Sequence, residues 1–374
     1  MGFSVRDLDR RGVQIVTQLQ NAGYEAYLVG GCVRDILLGY RPKDFDIATS
    51  ARPNQVRRIF RRSRVIGRRF KIVHVYSGRE IYEVSTFRAP PREGKGKTKT
   101  LVADNDYGTA EQDAWRRDFT LNALYLDPKE KEILDWVGGL EAVEARQLIS
   151  IGDPRVRFQE DPVRVLRLIK FMRRMGLTGG AEEIQAAKEC ASLLQKAPDA
   201  RLLEEIFRLM RTGDMEGVWD DLRLLNLLPV LLPEFRSWLH VEGNAARMGQ
   251  YFAPMDAAIQ EGWTPSYAFL LSILFSPRVQ DDPRPQELVR KFQQRARLPR
   301  GEVDQAIRIL QIQPQLLRPV KNIDSQRRPP RFLGEDWFPE ALECLRCSLV
   351  ARGEELTSYD HWHERRLSLH PRRR

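Results

Sequence analysis

The stretch Tyr27-Leu-Val-Gly-Gly-Cys-Val-Arg-Asp-Ile-Leu-Leu-Gly-Tyr-Arg-Pro-Lys-Asp-Phe-Asp-Ile-Ala-Thr49 decides the fold. The apolar residues 27–29 predict a short strand, which the glycine pair 30–31 ends. Residues 33–38 predict a short helix that the next glycine terminates. The alternation of polar and apolar residues over 44–47 is typical of a half-buried strand. The stretch therefore predicts a strand, a glycine turn, a short helix, a loop and a second strand.

Two aspartates, Asp44 and Asp46, stand two positions apart in the predicted second strand. Residues i and i+2 of a strand share a face, so both carboxylates are expected to point the same way. Such carboxylates repel each other unless a positive charge lies between them. Mg2+ fits there, because it takes one or two carboxylates together with phosphate oxygens. Gly31 has no side chain, so backbone N–H groups can approach a phosphate, and the stretch predicts one site for a nucleoside triphosphate and its metal ions.

Each part of this pattern also has an ordinary structural explanation. An isolated Asp-x-Asp is usually a solvated loop or strand end, and an isolated glycine pair is mostly a turn. The joint pattern Gly-Gly-x-Val-Arg-Asp-x-Leu-Leu-Gly, followed closely by Asp-x-Asp, is far more specific. It resembles the signature of the class II nucleotidyltransferases, which comprise the bacterial poly(A) polymerases and the CCA-adding enzymes. Neither the Walker nor the Rossmann glycine spacing is present in it.

The composition indicates a globular protein with a polyanionic partner. The 374 residues are 42% hydrophobic and 30% charged, enough for two to four domains. No apolar run approaches the ~18 residues of a membrane span, and the first residues show no apolar signal core, so we expect a cytoplasmic protein. The net charge of +10 and the pI near 9.5 favour RNA or DNA as a partner. Cys344-x-x-Cys347 has no second pair or nearby histidine, which predicts a structural, helix-borne pair.

The secondary-structure pattern changes from mixed to helical along the chain. Residues 71–88 predict a hairpin, and after Asp161 the strand pattern almost vanishes. Helices are predicted over 161–176, 181–195, 199–212, 215–226, 246–261, 265–275, 285–296 and 300–317. The fold class is therefore α+β, an N-terminal mixed-sheet nucleotidyltransferase head followed by an all-helical C-terminal region.

The family resemblance turns this pattern into four expected domains. They are a catalytic nucleotidyltransferase head (1–150), a helical neck for base recognition and RNA binding (151–212), a helical body (213–330) and a helical, basic tail (331–374). Residues 57–71 hold eight arginines and lysines and no acidic residue. This run predicts a solvated basic face or, equally, a surface that faces phosphates.

A second motif, Arg116-Arg-Asp-Phe-Thr-Leu-Asn-Ala123, places two cations beside a carboxylate. Taken alone, it also fits a helix start with surface arginines. Arg117 has the planar fork that suits phosphate oxygens, and Asp118 suits a third metal-site carboxylate or a group that orients the sugar. The motif resembles the family's second motif, whose arginine touches the nucleotide, and this implies the same role for Arg117. The family also needs a third carboxylate, for which we favour Asp118 over its rival Glu83.

A third motif, Glu160-Asp-Pro-Val-Arg-Val-Leu-Arg-Leu-Ile-Lys170, begins a predicted helix. Pro162 suits the first helical position and Asp161 suits the cap, so an ordinary amphipathic helix would also explain it. Asp161, Arg164 and Arg167 recur every three residues and are expected near one face. The motif resembles the family's Glu-Asp-x-x-Arg, which acts as a protein template for the incoming base. The lysine that ends the motif stands where many relatives have an arginine.

The segment Val65-Ile-Gly-Arg-Arg-Phe-Lys-Ile-Val-His-Val75 favours one branch of the family. It resembles the Gly-Arg-Arg-Phe-x-x-x-His of bacterial poly(A) polymerases, whereas CCA-adding enzymes usually have a plainer Gly-x-x-x-Gly-Thr. We therefore expect template-independent polyadenylation, with addition of CCA to tRNA from CTP and ATP as the alternative. Our hypothesis is that Arg69 and Phe70 brace the head in an adenine-accepting arrangement. A non-catalytic RNA-binding protein would need a broken carboxylate set, and here the set is intact.

The resemblance implies transfer of AMP from ATP to an RNA 3′-hydroxyl with two Mg2+ ions as cofactors. The expected catalytic residues are Asp44, Asp46 and Asp118, of which Asp44 and Asp46 hold the ions. The expected nucleotide-binding residues are Gly31, Arg34, Arg117, Asp161, Arg164 and Arg167. The expected partners are ATP and RNA 3′ ends, with no membrane.

Overall fold

The computed structural model describes residues 8–67, 71–89, 106–279, 285–318 and 330–369. The hypothesis about Arg69 and Phe70, the loop segment 90–100 and the basic end 370–374 lie outside the described residues. The chain divides into two compact units. Met1–Arg157 with Leu177–Glu183 form the N-terminal unit, and Phe158–Gly176 with Ile184–Arg374 form the helical unit.

The N-terminal unit is built on a mixed sheet. Among the described residues its strands are β1 (Ala26–Val29), β2 (Asp46–Thr49), β3 (Ser63–Ile66), β4 (Ile72–Ser77), β5 (Glu80–Thr86), β6 (Tyr125–Asp127) and β7 (Glu132–Leu134), with a separate pair β8 (Gln147–Leu148) and β9 (Thr178–Gly179). The seven strands lie in the order β3-β4-β5-β2-β1-β6-β7. The β2–β5 pairing is parallel and the other pairings in this sheet are antiparallel. The predicted mixed sheet is confirmed.

The position of β1 in the sheet explains its composition. It lies between β2 and β6, and Ala26, Leu28 and Val29 are buried. Strands that are covered on both faces carry apolar runs in place of alternation, as residues 27–29 suggested. A cluster of aromatic side chains extends this core. In this cluster the ring centroids of Phe87 and Tyr125 lie 6.4 Å apart. The core therefore lies directly beside the glycine turn that follows β1.

Helices α1 to α6 accompany the sheet in the order of the chain. They are α1 (Arg10–Asn21), α2 (Gly31–Leu37), α3 (Pro53–Ile59), α4 (Ala110–Trp115), α5 (Gly139–Glu144) and α6 (Pro154–Glu160). The side chain of Asp9 caps the N-terminus of α1, because its carboxylate accepts the N–H of Gly12 at 2.6 Å. The same carboxylate accepts the hydroxyl of Tyr82 at 2.6 Å, which ties α1 to the β4–β5 hairpin.

The helical unit contains helices α7 to α18, except for the first three residues of α8, together with short 3₁₀ segments. They are α7 (Arg164–Met175), α8 (Ala181–Cys190), α9 (Asp199–Met210), α10 (Met215–Leu224), α11 (Leu228–Leu231), α12 (Arg236–Leu239), α13 (Asn244–Gln260), α14 (Tyr267–Val279), α15 (Pro285–Ala296), α16 (Arg300–Leu316), α17 (Phe338–Ala351) and α18 (Thr357–Leu369). Every helix predicted after residue 161 is present within a few residues of its expected bounds. No described helix has both the length and the apolar composition needed to span a membrane.

Helix α14 forms the centre of the helical unit. Its residues from Ala268 to Pro277 are all buried, because α13, α16 and α17 pack around it. Even its serines lie inside, and the hydroxyl of Ser276 lies 3.1 Å from the sulfur of Cys344 on α17. Burial raises the pKa of the Cys344 thiol to about 12, and Cys347 is buried beside it. The Cys344-x-x-Cys347 pair is therefore helix-borne, as predicted, and both of its thiols are buried.

Two predicted boundaries differ from the structure. Strand β2 begins at Asp46, so Asp44 precedes the strand and does not share its face by strand geometry. Helix α7 begins at Arg164 and not at Pro162. The residues before it form i→i+3 bonds, from the N–H of Arg164 to the carbonyl of Asp161 and from the next N–H to Pro162. Asp161 is therefore not the helix cap, although its Oδ1 accepts the N–H of Val163 at 3.3 Å within this turn.

Asp256 is a buried carboxylate with incomplete hydrogen bonding. One oxygen accepts the N–H of Glu216 at 2.9 Å, and the other has no hydrogen-bond partner in the structure. Burial, with smaller contributions from the charges of Asp214 and Glu216, raises its pKa to about 6, although backbone N–H groups oppose the rise. A carboxyl whose pKa is higher in the fold than in the unfolded chain destabilises the fold as pH rises through that range.

We predict that Asp256→Asn stabilises the protein at pH 8 by about 1–2 kcal/mol, because it removes the buried charge and keeps an acceptor for Glu216. The gain should shrink towards pH 4, where wild-type Asp256 is protonated in the fold. Urea unfolding at pH 4, 6 and 8 measures it. Asp220→Asn, at an exposed position of α10, is the control and should stay within about 0.5 kcal/mol at each pH. A gain that did not change with pH would contradict the assignment.

Candidate active site

Three carboxylates of the N-terminal unit lie around the start of β2. Asp46 is the first residue of β2, and Asp44 lies just before it. Strand β2 runs parallel to β5 with Ile47 opposite Val84, so the same register one residue earlier puts Asp46 beside Glu83. Asp46 is exposed, but partial desolvation by the surrounding protein raises its pKa to about 6; the charges of Glu83 and Asp44 act in the same direction, and Arg117 opposes them. A negative site of this kind favours a bound cation.

The donor set fits a hard divalent cation that also contacts a substrate. In the described part of the chain, no three acidic, histidine or cysteine side chains converge closely enough to hold a metal ion by themselves. Mg2+ is usually bound through one or two carboxylates, with waters and substrate phosphates completing its shell. Asp44 and Asp46, with Glu83 near Asp46, therefore fit an ion that is held jointly with a triphosphate.

Asp118 has contacts with Phe119 and Asn122. Its Oδ1 accepts the N–H of Phe119 at 2.9 Å and the side-chain amide of Asn122 at 3.1 Å. The charges that act on Asp46 come from Glu83, Arg117 and Asp44. Glu83 is itself 3.5 Å from His74 on the neighbouring strand β4. The structure thus associates Glu83, the rival named in the sequence analysis, with the Asp-x-Asp pair, whereas Asp118 orients Asn122.

Arg34 is buried beneath the glycine turn. Its Nε and Nη2 donate to one oxygen of Asp35 at 2.8 and 2.6 Å, and its Nη1 donates to the side-chain oxygen of Asn122 at 2.6 Å. A Cβ at Gly31 would lie 3.6 Å from Nη2 of Arg34. The predicted triphosphate-binding residues Gly31 and Arg34 are therefore adjacent. The chain from Asp118 through Asn122 fixes the orientation of the Arg34 guanidinium.

Gly30 allows Arg117 to approach the turn. Gly30 has a φ of +72°, which a residue with a Cβ adopts only under strain. An added Cβ would also lie 3.2 Å from Nη1 of Arg117 and 3.4 Å from the carbonyl oxygen of Asn122. The guanidinium of Arg117 is thus directly against the backbone at the start of α2. Its positive charge also acts on Asp46, where it partly offsets the rise in the pKa of that carboxyl.

Two residues that the sequence analysis missed hold Arg117 in place. Its Nη2 donates to Asp113 at 2.9 Å and its Nε donates to the hydroxyl of Tyr125 at 3.0 Å. That hydroxyl donates in turn to the same Asp113 oxygen at 2.6 Å. Asp113 stands four residues before Arg117, a spacing at which helical ion pairs form and from which it could have been found. Tyr125, on β6, gave no such local signal.

The residues predicted to act as the base template lie in the helical unit, at and just before the start of α7. Asp161 contacts Nη2 of Arg201 on α9 at 2.6 Å. Arg164 contacts Glu160 at 3.1 Å, and the guanidinium of Arg167 lies 5.6 Å from the ring centroid of Phe171. The predicted three-residue spacing therefore places Arg164 and Arg167 on consecutive turns of one helix. Sequence analysis did not anticipate Arg201, which is distant in the chain.

Lys170, the departure from the family pattern, is largely buried and paired. Its Nζ lies 3.3 Å from Glu205 on α9, and both side chains are shielded from solvent. Burial lowers the pKa of Lys170, and the charge of Arg167 acts in the same direction, against the attraction of Glu205. Arg208 also contacts Glu205, at 2.8 Å. Lys170 therefore joins α7 to α9.

The chain is similar to proteins that elongate RNA ends. Residues 26–149 match the family described as "Poly A polymerase head domain", and residues 182–239 match "Probable RNA and SrmB- binding site of polymerase A". A poly(A) polymerase I of Haemophilus influenzae is 44% identical over 244 residues, which cover 63% of this chain and 54% of the relative. A CCA-adding enzyme of a Geobacillus species is 37% identical over 201 residues, covering 54% and 49%. The chain spans about half the length of these curated relatives.

The fold has a counterpart among solved structures. The crystal structure of the Bacillus stearothermophilus CCA-adding enzyme in complex with CTP matches with a TM-score of 0.68 at 27% identity, covering 96% of this chain and 81% of that one. The α+β architecture and the resemblance inferred from the motifs are therefore both confirmed. Residues 26–149 therefore carry the head domain of the poly(A) polymerase family, and over the matched segments the chain resembles the poly(A) polymerases and CCA-adding enzymes.

Proposed function

We propose that this protein polyadenylates RNA 3′ ends without a template, transferring AMP from ATP to the 3′-hydroxyl and releasing pyrophosphate. The observation that carries the proposal is the electrostatic surroundings of Asp46. The negative charges of Asp44 and Glu83 raise its pKa, and the positive charge of Arg117 lowers it. Such a site suits a triphosphate that brings negative oxygens and takes metal ions with it. We place the reaction in the cytoplasm, which holds both RNA and ATP.

The carboxylates Asp44 and Asp46 would hold the Mg2+ ions, and we propose Glu83 in place of Asp118 as the third carboxylate. When bound, such ions activate the attacking hydroxyl and stabilise the charge on the leaving oxygen. Gly31 leaves space for phosphate oxygens near the backbone, and Arg117 donates to the triphosphate or the ribose. The guanidinium of Arg117 is already oriented by Asp113 and Tyr125, so little conformational entropy is lost when it binds.

The remaining residues have supporting and selecting roles. Arg34 bonds with Asp35 and Asn122, and we propose that it supports the glycine turn while contributing positive charge to the triphosphate. Asp161 accepts from a base edge and Arg164 donates to it, so together they suit adenine. Arg167 helps to hold the nucleotide. Both Asp161 and Arg164 have protein partners in the structure, and the incoming base would exchange with these contacts.

Sequence identity to relatives favours this proposal over the alternative. Poly(A) polymerase I of Haemophilus influenzae is 44% identical over the matched segment, compared with 37% for the CCA-adding enzyme. Addition of CCA to tRNA is the second candidate, because the solved CCA-adding enzyme that binds CTP has the same fold over 96% of this chain. A non-catalytic RNA-binding role is disfavoured because the carboxylates are intact and adjacent.

Removal of either aspartate should abolish the chemistry. We expect Asp44→Ala and Asp46→Ala to lower the rate of AMP incorporation by at least about 1,000-fold, because metal-held positioning and charge stabilisation supply most of the rate. Primer extension with radiolabelled ATP measures this, and RNA affinity should be unchanged. Glu130→Ala, at an exposed acid in the turn after β6, is the control. A variant at Asp44 or Asp46 that kept a tenth of wild-type turnover would overturn the metal-site assignment.

Glu83 and Asp118 can be separated by isosteric amides. We expect Glu83→Gln to lower kcat about 100-fold, because it removes a charge beside Asp46. Asp118→Asn keeps an acceptor for Asn122 and should cost about tenfold or less, mainly in KM for ATP. Steady-state kinetics at varied ATP measures both parameters. An Asp118→Asn loss in kcat as large as that of Glu83→Gln would restore Asp118 as the third carboxylate.

Nucleotide selectivity separates polyadenylation from CCA addition. With Mg2+ and each triphosphate supplied alone, we expect runs of A on unrelated RNAs and at least about tenfold weaker incorporation of C, which is about 1.4 kcal/mol of differential transition-state binding. A tRNA that lacks its CCA end is the second primer. Addition of C, C and A to that tRNA, ending there, would replace the proposal with the second candidate.

A further inference from the structure

A cationic concavity lies on the helical unit between α15 and α16. Its volume is about 560 Å³, and it is lined by three arginines (Arg290, Arg297 and Arg300), two glutamines, Leu298 and Asp304. Sites for drug-sized ligands have similar volumes, but their linings are predominantly apolar. Here Leu298 is the one apolar lining residue. The lining of this α15–α16 groove therefore suits a charged, hydrated ligand better than an apolar cofactor.

The groove keeps an excess of positive charge. Arg290 is held by Asp304 at 2.5 Å and by the side-chain oxygen of Gln293 at 3.0 Å. No carboxylate in the described part of the chain lies within ion-pair distance of Arg297 or Arg300. The lining thus carries three positive charges and one negative charge. The fixed Arg290 provides an oriented guanidinium beside two that remain available.

Arg295, in the last turn of α15, is an example of an arginine with a structural role. Arg295 donates to Glu234 at 2.6 Å and to Asp199 at 2.9 Å, so carboxylates occupy its fork. Arg297, two residues later, has no such partner and is exposed. The two arginines therefore differ in their electrostatic surroundings. Carboxylates of the protein neutralise the charge of Arg295, whereas the charge of Arg297 can act on an external group.

Arg297 has an unusual backbone conformation for a residue with a side chain. Its φ is +53°, in the left-handed region where helices commonly end on glycine. A non-glycine residue in this region costs free energy, of the order of 1 kcal/mol. The turn is closed by bonds at 3.4 Å between Gln293 and Leu298, from backbone to backbone and from the glutamine side chain. The chain thus carries an arginine at a position that glycine fits better.

We propose that the α15–α16 groove binds the phosphate backbone of RNA. Guanidinium groups match phosphate oxygens through paired, charge-assisted hydrogen bonds, and such contacts do not depend on base sequence. The groove lies outside the two segments that match family domains, 26–149 and 182–239. The proposal rests on the proposed function in taking RNA as the substrate. It adds a contact that would hold the RNA independently of the reacting 3′ end.

The test compares RNA binding by the full-length protein and by Arg297→Glu/Arg300→Glu. Fluorescence anisotropy with an unstructured RNA of about 20 nucleotides, at salt from ~50 to 200 mM, gives affinity and salt dependence. The variant should bind about tenfold more weakly, and the slope of log K against log salt should fall by about 1.4, which corresponds to two phosphate contacts. Arg297→Lys/Arg300→Lys keeps both charges and should retain most of the slope.

The matched control is Arg308→Glu/Arg331→Glu, which changes net charge equally at exposed positions of the helical unit outside the groove. Its RNA affinity should change less than about threefold. Equal losses in both double variants, or no loss in the groove variant, would overturn the proposal. A further measurement titrates the same variants with sodium triphosphate. The proposal would also be overturned if Arg297→Glu/Arg300→Glu lost triphosphate binding and kept RNA binding.

These binding measurements need no catalysis, so the two proposals can fail separately. Groove-dependent RNA binding by a protein that adds no AMP would support the groove and reject polyadenylation. AMP addition with unchanged binding by the groove variant would do the reverse. Circular dichroism and thermal unfolding establish that each variant folds, and the lysine variant keeps the test valid if charge reversal lowers stability.

Discussion

The N-terminal unit depends on the contact between the guanidinium of Arg117 and the backbone at Gly30. The contact is possible because Gly30 has no Cβ and because Asp113 and Tyr125 hold Arg117 from the other side. Although burial works in the other direction, the Arg117 charge and the Tyr125 hydroxyl lower the pKa of Asp113. Asp113 therefore stays ionised, and a buried pair that lost one partner would leave an uncompensated charge.

This contact joins elements that are distant in the chain. Asp113 belongs to α4, Tyr125 to β6 and Gly30 to the end of β1. The N–H of Arg88 donates to the second oxygen of Asp113 at 3.1 Å, so the strand that carries Glu83 is tied to the same carboxylate. The groups proposed to contact a nucleotide and the groups that pack the core are consequently neighbours. A change in one is expected to alter the position of the other.

The sequence predicted those parts of the structure that short spacings determine. The strand, glycine turn and short helix around Gly31 were recoverable because apolar runs and glycines act locally, and the later helices followed from periodicity and proline breaks. The family motifs singled out Asp46 and Arg117 as candidates in the same way. The start of α7 was predicted too early, because Pro162 and Asp161 fit a helix start but form a turn of i→i+3 bonds. Local preference was overridden there by the turn that leaves Asp161 facing Arg201.

Strand pairing supplies an observation on the third carboxylate, a choice that the sequence left open. Glu83 and Asp118 were both plausible partners of Asp46, and only the parallel β2–β5 register put Glu83 beside it. Tyr125 and Arg201 were missed for the same reason, since each meets its partner from another element. Pairings between distant segments depend on the whole arrangement of the sheet or bundle, and single-sequence patterns do not encode them.

The parallel pairing of β2 with β5 also has a consequence for how the protein folds. In the described sheet it joins two antiparallel ladders, β3-β4-β5 and β2-β1-β6-β7, each of which contains a locally connected hairpin. Parallel pairing between distant segments is entropically costly and tends to form late. Asp46 and Glu83 stand on opposite sides of that seam, so the carboxylates meet only when the ladders join. A partly folded or newly synthesised head would therefore lack the assembled carboxylate group, and nucleotide chemistry would begin only with the completed sheet.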